Sequence, residues 1–232
     1  MALVLIPGFM LNRDLWADME PDLAPHGPLI HADPGVGDSI EAMASLTLEA
    51  APERFALVGF SMGGYVARDM VRRAPERVTH LGLIATSSRG DTELQSRRKA
   101  AAISAAAVSF TGVARKSIRQ ALAPSREQDD ALVERIHAMS EQLGGEVFLR
   151  QASMPRLGDA DRLGEIHCPT LIVAGREDRL RSLEEAEELH AGIAGSQLVV
   201  LDAGHMIPLE NPAALSAAML EFLGRSKMAH EA

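Results

Sequence analysis

The chain has little that could cross-link it and nothing that would anchor it in lipid. Its 232 residues include one cysteine, which excludes an internal disulfide and fits a reducing compartment. That cysteine, Cys168, stands just before an apolar run and reads as packing rather than chemistry. Aromatic residues make up 3%, so the aliphatic side chains must carry the core. Positive charge is also in deficit. Lys and Arg number 23 against 32 Asp and Glu, a net charge of -9. An acidic chain is a poor partner for nucleic acid or for an anionic membrane surface. No apolar run approaches the length of a membrane span, and no basic segment precedes Leu3-Val-Leu-Ile6 as in a secretory signal. The expected location is the cytoplasm. The histidines form no H-x-x-x-H or H-x-H pair, so no metal is expected. Without G-x-G-x-x-G or a P-loop lysine, no nucleotide cofactor is expected either.

What is present is an alternation of apolar runs and helical patterns, which predicts a parallel sheet with helices on both faces. The runs at Leu3–Ile6, Leu29–Ala32, Ala56–Gly59, Val78–Ala85, Thr170–Ala174 and Leu198–Leu201 read as strands, several continuous enough to be buried on both faces. A helix is predicted from Ser61 to about Ala74, where Pro75 disfavours its continuation. Ser182 and Glu185 form a capping box. Asn211-Pro212 opens the last helix, with Gly224 as its stop and a frayed tail over Ser226–Ala232. Between about Thr86 and Glu165 the strands cease. Helices are predicted there over Glu93–Ser109, Gly112–Leu122, Glu127–Leu143 and Glu146–Met154. The expected organisation is a core of residues 1–86 and 165–232, interrupted by a helical lid over 87–164.

The chemistry concentrates at Gly59-Phe60-Ser61-Met62-Gly63, a G-x-S-x-G motif between a predicted strand and a predicted helix. Its sharp turn aims the Ser61 hydroxyl out of the sheet and leaves the Met62 N–H at a helix N-terminus, where negative charge is stabilised. A serine needs a base, and the base needs an orienting carboxylate. Asp178 follows the strand at Thr170, with Glu177 and Asp202 as rivals. His205 follows the strand at Leu198. All three residues fall just past predicted strands, where open parallel sheets place their sites.

These motifs resemble the α/β-hydrolase superfamily over essentially the whole chain. Ile6-Pro7-Gly8-Phe9 looks like the loop that donates the second oxyanion N–H, from Phe9, with Met10 as the rival. Asp33-Pro34-Gly35-Val36-Gly37-Asp38-Ser39 looks like the superfamily's Pro-Gly-x-Gly-x-Ser loop. Pro75-Glu76-Arg77-Val78, Cys168-Pro169-Thr170-Leu171, Gly204-His205-Met206 and Glu210-Asn211-Pro212 also fit. The order Ser, Asp, His is the one this fold uses. Two departures stand out. The usual His-Gly of the oxyanion loop is Pro7-Gly8, and Pro7 has no N–H to donate, so support for the loop must come from elsewhere. Met1 also directly precedes the first strand, so a sheet of about six strands is expected.

The resemblance implies a serine hydrolase acting through an acyl-serine on a small ester, lactone or thioester. Phe110, Met139, Phe148, Met154, Met10 and Met206 are candidate pocket residues. The basic runs Arg97-Arg98-Lys99 and Arg115-Lys116 with Arg119 read as a solvated face, or as a greeting for an acidic substrate. Other uses of the same residues are a carbon–carbon bond hydrolase, a cofactor-free perhydrolase, a lyase with Ser61 as base, or a small-molecule binder. Serine at the nucleophile position argues against a haloalkane dehalogenase. The expected partner is a small acyl substrate, and no motif speaks to an oligomeric state.

Overall fold

The computed structural model describes residues 1–228. Strands β1 (Ala2–Ile6), β2 (Leu29–His31), β3 (Phe55–Phe60), β4 (Val78–Ile84), β5 (Thr170–Gly175) and β6 (Gln197–Leu201) form one six-stranded sheet. The order is β2-β1-β3-β4-β5-β6 and every pairing is parallel. The chain leaves β1 for one edge and returns to its other side as β3. That reversal opens a crevice at the C-terminal ends of β1 and β3, the place where such sheets hold ligands.

The helices are α1 (Glu20–Leu23), α2 (Ile40–Ala50), α3 (Met62–Arg73), α4 (Glu93–Val108), α5 (Arg115–Ala121), α6 (Asp130–Ser153), α7 (Leu183–Gly192), α8 (Ile207–Glu210) and α9 (Pro212–Met228). The pleat divides the strand side chains between two cores. Leu3 and Leu5 of β1 pack with Leu15, Trp16 and the α9 stripe Leu215, Met219 and Phe222. Val4 and Ile6 pack on the opposite face with α2, α3 and α7. All six residues of β3 are buried. Each large side chain there contributes roughly 1.5–3 kcal/mol, which makes β3 a rigid platform for whatever follows it.

Local signals fix the helix ends. Ser39 caps α2 through Ala42 N at 3.1 Å, and Ser182 and Glu185 close the predicted capping box on α7. Helix α9 does not stop at Gly224 but runs to Met228. Glycine only weakens a helix interior by about 1 kcal/mol. The predicted frayed tail over Ser226–Ala232 is therefore helical to Met228, and its remainder lies outside the described residues.

Helices α4, α5 and α6 lie between β4 and β5. Helix α5 begins at Arg115 rather than Gly112. Gly112 sits at φ 92, with the His137 ring 2.6 Å from where a Cβ would be. The two helices expected over Glu127–Leu143 and Glu146–Met154 are both present within the span of α6, which is broken at Gly144 by a non-helical φ of 79 and ψ of 173. The ends of this segment meet in a hydrogen-bonded neck. Asp91 N donates to Arg156 O (2.9 Å), Asp159 N to Ser88 O (2.9 Å) and Arg156 N to Asp91 Oδ2 (3.2 Å). Buried Arg68 of α3 ties the neck down. Its Nε and Nη2 donate to the two Asp159 carboxylate oxygens, both at 2.9 Å. The segment shares the core, because Ile118, Val133, Ile136 and Met139 pack in the same apolar cluster as Leu11 and Leu15.

Candidate active site

Ser61 sits between β3 and α3 at φ 51, ψ -112. Only two other non-glycine residues among those described have positive φ, Met10 (φ 55) and Ala85 (φ 46). They follow β1 and β4, the neighbours of β3, so three strained residues surround one point. Each costs of order 1–3 kcal/mol and persists only where its surroundings hold it. Here Ser61 N donates to Ile84 O (2.9 Å), and Thr86 Oγ1 donates to Ser61 O (2.7 Å). Gly63 is needed for close approach. A Cβ there would lie 2.5 Å from Ile6 O and 2.6 Å from Pro7 O.

Asp178 lies in the turn after β5, its side chain 1% exposed. Its Oδ1 accepts from Leu180 N (2.8 Å) and Arg181 N (2.9 Å), and its Oδ2 is 2.8 Å from His205 Nδ1. An ionised carboxylate can only accept, so His205 Nδ1 carries the hydrogen. Nε2 is then free to accept, and Ser61 Oγ lies 3.0 Å from it. The Phe60 ring, 5.2 Å away, tilts against the imidazole. Of the rival acids, Glu177 is exposed, and Asp202 is paired with Arg176 (2.7 Å) with its side chain 81% exposed. Neither has a contact with His205.

The loop after β1 presses on the same point. A Cβ on Gly8 would lie 3.3 Å from Ser61 Cβ. The Met10 N–H is committed to Gln151 Oε1 at 2.8 Å. That bond takes Met10, the rival oxyanion donor, out of reach, while Met62 stands at the N-terminus of α3.

Ser61, His205 and Asp178 thus share one hydrogen-bonded line at the C-terminal edge of a parallel sheet. The model of the alpha/beta hydrolase family matches residues 3–218 of this chain. The chain belongs to the alpha/beta hydrolase family. It is a hydrolase of the carboxylesterase-like kind. It is 28% identical over 235 residues to the pimeloyl-[acyl-carrier protein] methyl ester esterase of Neisseria meningitidis serogroup A, covering 94% of this chain and 75% of that protein. A 95-residue stretch is 41% identical to the protein of the same name from Photobacterium profundum, spanning 38% of this chain and 37% of that protein. Among solved structures, a thermophilic esterase from Thermogutta terrifontis superposes with a TM-score of 0.84 at 26% identity, covering 97% of this chain and 90% of the other.

In this alpha/beta hydrolase the six candidate pocket residues separate. Met10, Phe110 and Phe148 gather with Phe9 in one small cluster, with Phe148 edge-on to Phe9 at 5.5 Å and tilted against Phe110 at 4.8 Å. Met139 and Met206 belong to the core below α5 and α6, and Met154 packs with Met62 beneath Phe9. Phe9 and Phe110 are half-buried, and the other five candidates are buried.

Two supporting residues escaped the sequence reading. Gln151 of α6 is fully buried. Its Oε1 accepts from Met10 N, and its Nε2 donates to Pro34 O at 2.8 Å. It braces the oxyanion loop and the Asp33–Ser39 loop together, the support that Pro7 leaves wanting. Glu210 accepts from Met206 N (3.0 Å) and Ala123 N (2.7 Å), while His205 N donates to Ala121 O (2.7 Å). Helix α5 therefore ends directly on the histidine loop. Gly204 permits this, since a Cβ there would lie 2.3 Å from Ala123 N. No short motif encodes either contact, as each joins residues more than 80 positions apart.

Elsewhere, burial pushes the Cys168 thiol up, away from reactive thiolate. No group of three metal-ligating side chains occurs among the described residues, and none of the described helices is long and apolar enough to cross a membrane. An open cleft of about 580 Å³ is lined by Arg13, Glu20, Leu29 and His31 beside β2, and includes none of Ser61, Asp178 and His205.

Proposed function

We propose that this protein cleaves a small carboxylic ester through an acyl-serine intermediate. One observation carries the reading: His205 bridges Ser61 and Asp178 at 3.0 and 2.8 Å, from three different strand ends. Ser61 Oγ attacks the carbonyl carbon as His205 Nε2 takes its proton. Asp178 holds the imidazolium that forms. The N–H groups of Phe9 and Met62 receive the oxyanion, each donor contributing roughly 3 kcal/mol. His205 then protonates the leaving alcohol. Water, deprotonated by the same nitrogen, releases the acid. The methyl ester esterase names of the relatives favour an ester over a lactone or thioester. The segment holding α4 to α6 serves as a lid, since α6 holds the oxyanion loop and α5 the histidine loop. The partner is a small acyl substrate. Nucleic acid, membrane, metal and cofactor have no part in this reading. The acidic charge and single cysteine support a cytoplasmic location.

The test is labelling with a fluorophosphonate probe, wild type against Ser61→Ala, with mass mapping of the modified peptide. Stoichiometric labelling at Ser61, lost in the variant, supports an activated serine. A folded wild-type protein that takes no label sinks the acyl-enzyme mechanism.

A further inference from the structure

A patch of positive charge lies against the oxyanion loop, and the chemistry above does not use it. Arg156 stands at the neck of the inserted segment, its side chain 11% exposed, with its guanidinium carbon 5.9 Å from the centre of the Phe9 ring. Its side chain makes no hydrogen bond to protein. Its one ion pair is a loose contact with Asp91 at 3.8 Å. Lys99 Nζ and the Arg156 N–H both bind Asp91 Oδ2, so the only oxygen facing the guanidinium is Oδ1, beyond hydrogen-bond distance. Arg181 adds a third cation. It lies over the Tyr65 ring at 5.9 Å and pairs with Glu185 at 3.2 Å, while the second Glu185 oxygen is spent on Ser182 N at 2.7 Å. Three cations therefore face two carboxylates, of which Glu185 is committed through both oxygens.

A guanidinium that is nine-tenths shielded normally fills most of its five donors. Arg156 instead keeps its fork unspent beside the residue expected to hold the oxyanion. The charge around it agrees. Burial pushes the Lys99 ammonium down, and Arg156 and Arg181 press in the same direction. The fork geometry of an arginine matches a planar carboxylate in a bidentate pair.

We infer that Arg156, backed by Lys99 and Arg181, is a subsite for a free carboxylate on the substrate, so that the preferred ester is a half-ester of a dicarboxylic acid or an ester of a hydroxy acid. The inference rests on the esterase reading and narrows its substrate class. The patch fixes the charge but not the side of the ester that bears it, so both arms enter the test.

The experiment measures kcat/KM for monomethyl glutarate against dimethyl glutarate, and for O-acetylglycolate against its methyl ester. It uses the wild type, Arg156→Met and Arg156→Lys, with p-nitrophenyl butyrate as a neutral reference. The free-acid ester is expected to be preferred in one arm, by about 10- to 100-fold, the value of a charge-assisted pair. That preference should collapse in Arg156→Met and return in part in Arg156→Lys. Glutarate should inhibit wild-type turnover of the neutral ester competitively, and glutaramide should not. This last comparison needs no variant, so it decides the matter even if Arg156→Met fails to fold. Free acids no better than their diesters in both arms, with no inhibition by glutarate, overturn the inference while ester hydrolysis stands. Failure of the esterase reading shows separately, as absent turnover of p-nitrophenyl butyrate and absent labelling of Ser61.

Discussion

Gln151 joins the inserted segment to the chemistry, and its loss can be worked through. Gln151→Leu keeps most of the side-chain volume and removes both hydrogen bonds. The Met10 N–H is left buried without a partner, since Met10 is 1% exposed, and Pro34 O loses its donor. An orphaned buried group costs about 1–3 kcal/mol, so the pair should cost about 3 kcal/mol together. For a chain of this size that lowers Tm by about 6–12 °C. Activity should fall by a separate route. Met10 is held at positive φ next to Phe9, and the unbraced turn lets the Phe9 N–H drift from the oxyanion position. A fully deleted oxyanion donor costs about 100- to 1000-fold in kcat. A loosened one should cost about 10- to 100-fold, with KM nearly unchanged. Gln151→Glu keeps the acceptor for Met10 and should retain most of kcat. The assays are thermal melting and steady-state hydrolysis of p-nitrophenyl butyrate well below the new Tm. A Leu variant that melts early yet keeps kcat within about twofold of wild type refutes the brace and leaves Gln151 a purely structural residue.

Three further outcomes are expected. Asp178→Asn should lower kcat about 10³- to 10⁴-fold, because a neutral amide no longer enforces the Nδ1–H tautomer; single-turnover kinetics reads this directly, and a loss under tenfold would contradict the assigned role. Ser61→Gly relieves the strained φ of 51 and should raise Tm by about 2–4 °C while abolishing activity; an unchanged or lower Tm argues against strain at the turn. Burial disfavours the charged form of Asp159, but hydrogen bonds and charge from Arg68 and Arg72 outweigh it and hold the carboxyl below its ordinary range. A depressed folded-state pKa gives stability that is fully present above about pH 4 and lost as the pH falls further, through the depressed value. Asp159→Asn should therefore destabilise by about 3–5 kcal/mol at neutral pH and flatten the acid limb of a melting-temperature profile. Parallel acid limbs in the two proteins would remove Asp159 from the account.

The strands and the Ser61 turn were legible because their signals are local. An apolar run buried on both faces, followed by glycine and a nucleophile, spans only ten residues. Asp178 and His205 were legible for the same reason, each standing a few positions past a strand. The inserted segment was harder. Its helices and the break at Gly144, non-helical at φ 79 and ψ 173, are legible, but the helix expected from Gly112 starts only at Arg115, since Gly112 has positive φ. A glycine permits either conformation, and packing against His137 decides it at Gly112. Helix α2 is not read from the sequence, although Ser39 supplies its cap through Ala42 N. Gln151 was invisible for a different reason, as was the bond from Ala123 to Glu210. Each joins residues far apart in sequence, and the chain neighbours of Gln151 say nothing of its partners.

The neck at Asp91 and Arg156 has a consequence for how this fold can change. The two ends of a segment of three helices meet there in hydrogen bonds about 3 Å long. Whatever joins them, the sheet below experiences the same two anchored points. Closing a longer or shorter connection across fixed ends changes the entropy slowly, by about 0.6 kcal/mol for each doubling of length. The inserted segment can thus be exchanged like a cassette, provided its replacement again supplies a brace for Met10 and a carbonyl for His205. Ser61, Asp178 and His205 stay at the strand ends whatever the cassette.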